Sequence, residues 1–146
     1  NSEIWFVSET LTPFSRDVIS RYVENAFEDI YTAKQLRLMI ESKSDNQAVG
    51  MIDLFDFNPK NLRAGIGIFI HSQFENNGFA QEAITCIKRY AKEMLNLHQL
   101  YAEMTESNAA SLTVFKNSGF EVIGIKKDWL KTPTGYENQI CMQLIL

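Results

Sequence analysis

The sequence predicts an α/β fold, a single domain in which helices flank a mixed, mostly antiparallel sheet. Three strand-like segments follow one another with short polar turns between them, as antiparallel neighbours do. A strand–helix–strand step comes next, and such a connection normally makes its two strands parallel. The 146 residues suit one domain with one core, and they contain no linker, internal repeat or low-complexity tract.

One helix and three strands are predicted in the first half of the chain. From Pro13 to Ala26 the apolar residues recur at three- and four-residue spacing, which indicates a helix. The three strands are predicted over residues 34–42, 48–58 and 63–70. Alternation gives the second strand two faces, with Ile52, Leu54 and Asp56 on one and Met51, Asp53 and Phe55 on the other.

The second half is predicted to hold two helices, a strand between them and a final hairpin. The first helix covers residues 78–95, with an apolar stripe of Ala80, Ala83, Ile84, Ile87, Ala91 and Met94. Its water-facing residues are predicted to be Gln81, Glu82, Lys88, Arg89 and Lys92. A strand over 98–106 precedes a short helix that Asn108 or Ser107 caps and Gly119 ends. Residues 120–130 and 136–146 form the hairpin.

Composition excludes several classes of protein. The hydrophobic fraction of 45% and the charged fraction of 22% are typical of a soluble globular domain. A net charge of −4 argues against a nucleic-acid binder. No apolar run reaches the ~20 residues of a membrane span, and without a signal peptide the sequence predicts a cytoplasmic protein. The cysteines and histidines lack the spacing of a metal site, so no metal is expected.

The turn at residues 75–80 joins a strand to a helix. Such a junction directs several unpaired backbone N–H groups one way, and the helix dipole adds to them, so it can bind an anion. Gly78 allows dihedral angles that other residues avoid and lets a ligand approach the backbone. The spaced glycines of a dinucleotide site and the Gly-Lys-Ser/Thr of a P-loop are absent.

Two segments, "NGFAQEAI" and "NAASLTVFKNSGF", occur in this order and at compact spacing. With the order of the elements, they make the chain resemble the GCN5-related N-acetyltransferases. The resemblance is to the subgroup that acetylates ribosomal-protein N-termini, polyamines such as spermidine, and some antibiotics. It runs from about residue 34 to the C-terminus and includes the first predicted helix. It implies that the strands at 63–70 and 98–106 are a parallel pair that splays apart to hold acetyl-CoA.

The resemblance also implies which residues contact acetyl-CoA. Backbone groups of Ile68, Phe69 and Ile70 would hold the pantetheine arm as an added strand does. The pyrophosphate would lie on backbone N–H groups of Glu75, Asn76, Asn77, Gly78, Phe79 and Ala80. Asn108 would approach the pantetheine or its sulfur end, besides or instead of capping its helix. Lys116 would reach the outer part of CoA, and Phe115 lies where many relatives place an acid.

Four positions depart from the pattern of the family. Glu75 stands where Gln or Arg is usual, and Asn76-Asn77 replaces a pair that is often Gly-Lys. Phe115 stands where many relatives have a tyrosine that protonates the leaving thiolate. Gly65 stands where some relatives have a glutamate that acts as a base.

The remaining candidates for a general base are carboxylates near the opening. Glu103, on the fourth strand, is the leading candidate, and Asp53 and Asp56 are less favoured. The two aspartates are also predicted to attract a cationic acceptor, since Asp56 matches an acidic residue of polyamine-acetylating relatives. Each of the three is otherwise a surface carboxylate. The aromatic residues expected to wall the acceptor pocket are Trp5, Phe6, Phe55, Trp129 and Tyr136.

The prediction is therefore an acetyl-CoA-dependent N-acetyltransferase. It would move the acetyl group to a primary amine of a small molecule or peptide by direct transfer in a ternary complex. The alternatives are a catalytically weak CoA-binding sensor of the same fold and an interaction domain without a CoA site. The resemblance further implies a homodimer. It also implies that the domain, residues 1–146, lacks the first strand of the family and part of its first helix.

Overall fold

The computed structural model describes residues 4–7 and 30–146, and its main feature is a seven-stranded sheet. The order across the sheet is β1-β2-β3-β4-β5-β7-β6. The strands are β1 (Ile4–Val7), β2 (Leu36–Ser42), β3 (Ala48–Asn58), β4 (Arg63–Ile70), β5 (Gln99–Thr105), β6 (Glu121–Thr132) and β7 (Gly135–Ile145). The helices are α1 (Phe79–Glu93) and α2 (Ala109–Asn117), with a 3₁₀ turn over Ser72–Phe74, and residues 30–33 are also helical.

The mixed sheet is confirmed, with one parallel pair. Strands β1 to β4 pair antiparallel in sequence order, and β5, β7 and β6 also pair antiparallel. Strands β4 and β5 are parallel, because α1 carries the chain back to the same end of the sheet. The sequence prediction did not include β1, whose four residues are too few to show alternation. The helix predicted from Pro13 lies in residues 8–29, outside the described ones.

One face of the sheet forms the core. Ile52 and Leu54 of β3, Ile66 of β4 and Leu100 of β5 are each at most 1% exposed. They share the core with the apolar stripe of α1, whose buried members are Ala83, Ile84, Ile87 and Ala91. Burying one such Ile or Leu side chain stabilises the folded state by roughly 1.5–3 kcal/mol. Packing against the sheet is therefore the main source of stability for this helix. Met94, predicted in the stripe, is exposed because the helix ends before it.

Strand β3 contains a bulge that changes one predicted face. Asp56 has φ of 47°, and the register with β4 shifts between Phe55 and Asn58. The extra residue reverses the alternation, so Phe57 is buried and Asp56 is exposed. The prediction that Asp56 shares the face of Ile52 and Leu54 is therefore wrong.

Two polar residues of α1 connect it to the end of α2. The side-chain amide of Gln81 donates to the Ser118 hydroxyl at 2.8 Å, and Lys88 Nζ donates to the Ser118 carbonyl at 2.6 Å. Ser118 is buried, and its carbonyl belongs to the last turn of α2, where acceptors lack helical partners. The prediction that Gln81 and Lys88 simply face water is therefore wrong.

Candidate functional site

The parallel strands β4 and β5 separate after a short paired segment. They pair at three positions, from Arg63 with Gln99 to Gly65 with Tyr101. Beyond Gly65 and Tyr101, the rest of β4 and the rest of β5 run on without pairing to each other. On its other side β5 stays fully paired to β7. The backbone groups of β4 that face this opening are therefore available to a ligand.

A groove of about 640 Å³ leads along this opening. Its walls come from three parts of the chain: the end of β4, the turn before α1, and one side of α2. The predicted residues among its lining are Ile68, Phe69, Ile70, Glu75, Asn76, Gly78, Phe79, Ala80 and Asn108. Nine residues predicted from separate segments thus border one cavity.

The turn is built as an open cradle at the start of α1. Gly78 caps the helix with φ of 79°, and a Cβ placed on it would meet no atom within 4 Å. The N–H groups of the first helical turn have no helical acceptor. The Asn77 side-chain amide donates to the Phe74 and Glu75 carbonyls, both at 3.2 Å, which fixes the turn. The Glu75 N–H donates to the Ser72 carbonyl at 3.3 Å, so that donor is already used.

Helix α2 presents one side to the groove. Asn108 caps it, and its Oδ1 accepts from the Ser111 N–H at 3.1 Å. The groove-lining positions Ala110, Thr113, Val114 and Asn117 recur at three- and four-residue spacing. These four residues were not predicted from the sequence, although their helical periodicity is a signal that could have found them.

Three predicted cofactor residues do not line the groove. Phe115 is 3% exposed, and its ring meets the Phe120 ring edge-on at a centroid distance of 5.0 Å. The helical period directs this side chain into the core, away from the neighbouring Val114. Lys116 is exposed in the last turn of α2, and the Asn77 side-chain amide donates to two carbonyls of the turn. Their contacts with a cofactor stay predictions.

On the sheet face opposite the core, an aromatic ring lies at the apex of the opening. Phe55 pairs with Gly65 across β3 and β4, and a Cβ on Gly65 would lie 2.3 Å from the Phe55 ring. The Phe55 ring also meets the Tyr101 ring edge-on at 5.9 Å. Gly65 is therefore required by the ring that covers it, and no carboxylate fits there without moving Phe55.

Comparison with known proteins identifies the family. A family model described as an acetyltransferase (GNAT) domain matches residues 1–121. The chain belongs to the GNAT acetyltransferase family. Its GNAT domain is 26% identical over 95 residues to the spermidine N(1)-acetyltransferase of Escherichia coli K12, covering 65% of this chain and 50% of that protein. The chain thus spans about half the length of that curated relative.

Two further relatives cover more of the GNAT domain. An uncharacterized N-acetyltransferase of Bacillus subtilis, YoaA, is 27% identical over 143 residues, covering 87% of this chain and 81% of its own. The crystal structure of the Vibrio cholerae spermidine N-acetyltransferase in complex with CoA and spermine matches with a TM-score of 0.79 at 17% identity. That match covers 99% of this chain and 96% of the solved one, and it confirms the predicted fold.

The two predicted acceptor-binding aspartates of the GNAT domain already have partners. Asp53 accepts from Arg37 through both oxygens, at 2.8 and 3.0 Å. Asp56 Oδ2 accepts from the Tyr101 hydroxyl at 3.4 Å. Burial raises the pKa of the Tyr101 phenol, and the Asp56 carboxylate raises it further. Asp53 thus lies beside a resident cation, whereas Asp56 is exposed on the bulge.

Glu103, the predicted base, lies on the part of β5 that does not pair with β4. It follows Tyr101 by two residues and so shares its face, opposite the core. Its Oε2 lies 3.5 Å from Lys126 Nζ, which in turn lies 4.8 Å from the centre of the Trp129 ring. Neither Tyr101 nor Lys126 was predicted from the sequence, because only the register of the strands brings them to the opening.

The other aromatic candidates are spread over the GNAT domain. Trp129 and Tyr136 are exposed on the β6–β7 hairpin, at 58% and 64%. The side chains of Trp5 and Phe6 lie outside the described part. Among the described residues, no three His, Cys, Asp or Glu side chains are arranged to hold a metal ion. No helix in that part is long and apolar enough to cross a membrane.

Proposed function

We propose that the GNAT domain transfers the acetyl group of acetyl-CoA to a primary amine. The observation that carries the proposal is the opening between β4 and β5, continuous with a groove that ends at the α1 turn. The names of the relatives support it, since they are N-acetyltransferases, and one solved relative is a complex with CoA and spermine. We propose no metal and no covalent enzyme intermediate.

The groove suits acetyl-CoA, the cosubstrate that supplies the thioester-activated acetyl group. The edge of β4 at Ile68–Ile70 would pair with the amide-bearing pantetheine arm. The open backbone at Gly78 and the first-turn N–H groups of α1 would hold the pyrophosphate. This cradle uses backbone donors rather than side-chain cations, and the exposed Glu75 opposes the binding of an anion.

In the proposed reaction, the acceptor enters from the face of Tyr101 and Glu103. Glu103 removes a proton from the acceptor, and the neutral nitrogen attacks the thioester carbonyl. The carbon–sulfur bond breaks, and the departing thiolate takes the second proton, which the nitrogen loses as the amide forms, so CoA leaves as the free thiol. General base help of this kind is typically worth ~10²- to 10⁴-fold in rate, and positioning in the opening supplies much of the rest.

The acceptor that we propose is a small cationic amine such as a polyamine. The exposed carboxylate of Asp56 and the carboxylate of Glu103 border the same sheet face and favour a cation. We keep one second candidate, a CoA-binding sensor with weak activity. Two features favour this sensor: the Phe55 ring covers Gly65, and Phe115 is buried. Neither ring can exchange a proton.

The expected homodimer also stays a proposal. The described strands leave β6 at one edge of the sheet. Val122, Ile123 and Ile125 on this edge are exposed at 49%, 58% and 52%. Apolar edge strands are usually covered, because their free backbone groups pair with other chains. A cytoplasmic location is proposed in the same way, by analogy with the family.

Two measurements on the full chain test the proposed function. We expect acetyl-CoA to raise the melting temperature, because a ligand at ~100 times its Kd stabilises the folded state by ~2.7 kcal/mol. We expect release of CoA thiol with polyamines, and Glu103→Gln should lower kcat by ~10²-fold or more without weakening CoA binding. Absence of a thermal shift would refute the proposal. A shift without thiol release from any amine would establish the sensor instead.

A further inference from the structure

The ammonium group of Lys126 is held by two groups that both recognise cations. Glu103 Oε2 lies 3.5 Å from Lys126 Nζ, and the centre of the Trp129 ring lies 4.8 Å from it. A carboxylate and an aromatic face together are a standard arrangement for binding alkylammonium ions. The lysine of the protein itself therefore marks where such an ion is held.

A bulge in β6 creates this arrangement. Lys126 pairs with Gln139 and Leu130 pairs with Glu137, so residues 127–129 oppose Asn138 alone. Asp128 takes φ of 50°, and its N–H donates to Asn138 Oδ1 at 2.9 Å. In a regular strand, residues three apart point to opposite faces. The bulge instead places the Trp129 ring against the Lys126 ammonium.

The strand that pairs with β6 carries a side-chain acceptor that has no donor within the described part of the chain. In the sheet register, Gln139 lies between Thr105 of β5 and Lys126 of β6. Its Oε1 is buried and has no hydrogen-bond donor among the described residues. A buried acceptor without a donor is unfavourable, and an ammonium group with three N–H donors is a chemically matched partner.

Lys126 is held weakly enough to be displaced. The side chains of Lys126 and Glu103 are 40% and 31% exposed. A half-exposed ion pair contributes about 1.4- to 5-fold to the equilibrium, and an exposed cation–π contact about 2- to 5-fold. An incoming ammonium ion must therefore overcome a competition of about 3- to 25-fold.

We propose that Glu103, Trp129 and Gln139 form the subsite for the primary alkylammonium group of the acceptor, and that Lys126 occupies it until the acceptor displaces it. This rests on the proposed function, because Glu103 lies on the stretch of β5 that does not pair with β4, where that function puts the acceptor nitrogen. The bound ammonium passes one proton to the Glu103 carboxylate and becomes the neutral nucleophile. Unbranched diamines and polyamines are the substrate class that this subsite selects.

The test is calorimetric titration of the full chain with pentane-1,5-diamine, with and without CoA. We expect Lys126→Gln to bind the diamine about 3- to 25-fold more tightly than wild type. Lys127→Gln is the matched control, since it removes the same charge from the exposed neighbouring residue. It should bind as wild type does. Pentane-1,5-diol, which has no charge, should not bind to any variant.

Two results would overturn the inference. One is equal or weaker diamine binding by Lys126→Gln than by wild type. The other is a gain that persists when Glu103→Gln is added to Lys126→Gln, because the carboxylate is then not the partner. The proposed function fails separately: diamine binding that tightens in Lys126→Gln without thiol release keeps the subsite and refutes the transferase. Thiol release by wild type, with equal diamine affinity in wild type and Lys126→Gln, keeps the transferase and refutes the subsite.

Discussion

At the scale of single residues, the Phe55 ring makes Gly65 and Gly67 different although both lie on the same face of β4. A Cβ on Gly65 would lie 2.3 Å from the ring, whereas a Cβ on Gly67 would lie 3.7 Å from it, an ordinary contact. Phe55 cannot simply turn away, since its other neighbour is the Tyr101 ring. The glycine at position 65 is thus a packing requirement at the apex of the opening.

We therefore predict that Gly65→Ala lowers the free energy of unfolding by about 1–3 kcal/mol through overpacking. Gly67→Ala is the control. It should leave the free energy of unfolding unchanged or raise it by up to about 1 kcal/mol, because alanine has less conformational freedom than glycine in the unfolded chain. Urea unfolding followed by circular dichroism measures both. Equal effects of the two substitutions would show that Phe55 yields easily and that the ring does not fix Gly65.

At the scale of elements, the turn before α1 carries a negative charge where the pyrophosphate of CoA is predicted to bind. Glu75 borders the groove and is exposed, next to a helix start whose dipole favours anions. We predict that Glu75→Gln binds CoA about 2- to 5-fold more tightly, equivalent to ~0.3–1 kcal/mol for a charge near a helix end. The dissociation constant from calorimetry checks it.

The control for this change is Glu121→Gln, which removes an equal charge from the exposed start of β6. It should leave CoA affinity unchanged, and the gain from Glu75→Gln should shrink at high salt because exposed charges are screened. Weaker CoA binding by Glu75→Gln would instead mean that the carboxylate orders the turn.

The elements also show what local sequence can and cannot predict. The strands at 48–58 and 63–70 were predicted with their observed bounds, because alternation and turn residues are local signals. The bulge at Asp56 was missed, since a shift of register depends on the neighbouring strand. The inward direction of Phe115 was missed because its role was taken from the resemblance to the family and not from the helical period. The bond from Lys88 to Ser118 was missed because it depends on how two helices pack.

In the candidate site too, features with a local sequence signal were predicted, and features that depend on distant parts of the chain were not. The groove residues of β4 and of the turn were predicted because contiguous motifs carry them. The Glu103–Lys126–Trp129 cluster was not predicted as a unit. Glu103 of β5 and Lys126 of β6 come within reach because both strands pair with β7. No local pattern in the sequence reveals this strand order.

At the scale of the whole molecule, one buried phenol makes stability depend on alkaline pH. Tyr90 lies on α1, and its hydroxyl oxygen is buried without a hydrogen-bond partner in the described part of the chain. Burial, and then repulsion from Tyr31, raises the pKa of Tyr90 to about 12. In the unfolded chain a tyrosine titrates near ~10, so the folded state holds the proton more tightly.

The sign of the effect follows from this difference. The contribution of Tyr90 to the free energy of unfolding is complete below pH ~10. It is lost as the pH rises towards ~12, a total loss of ~2–3 kcal/mol. Tyr90→Phe cannot ionise and leaves no unpaired hydroxyl buried. We predict that it is at least as stable as wild type near pH ~7 and gains on wild type as the pH rises above ~10. Urea unfolding at both pH values measures this, with Tyr136→Phe, an exposed tyrosine, as the control. Parallel losses of stability in wild type and Tyr90→Phe would mean that the phenol ionises in the folded protein as readily as in the unfolded chain.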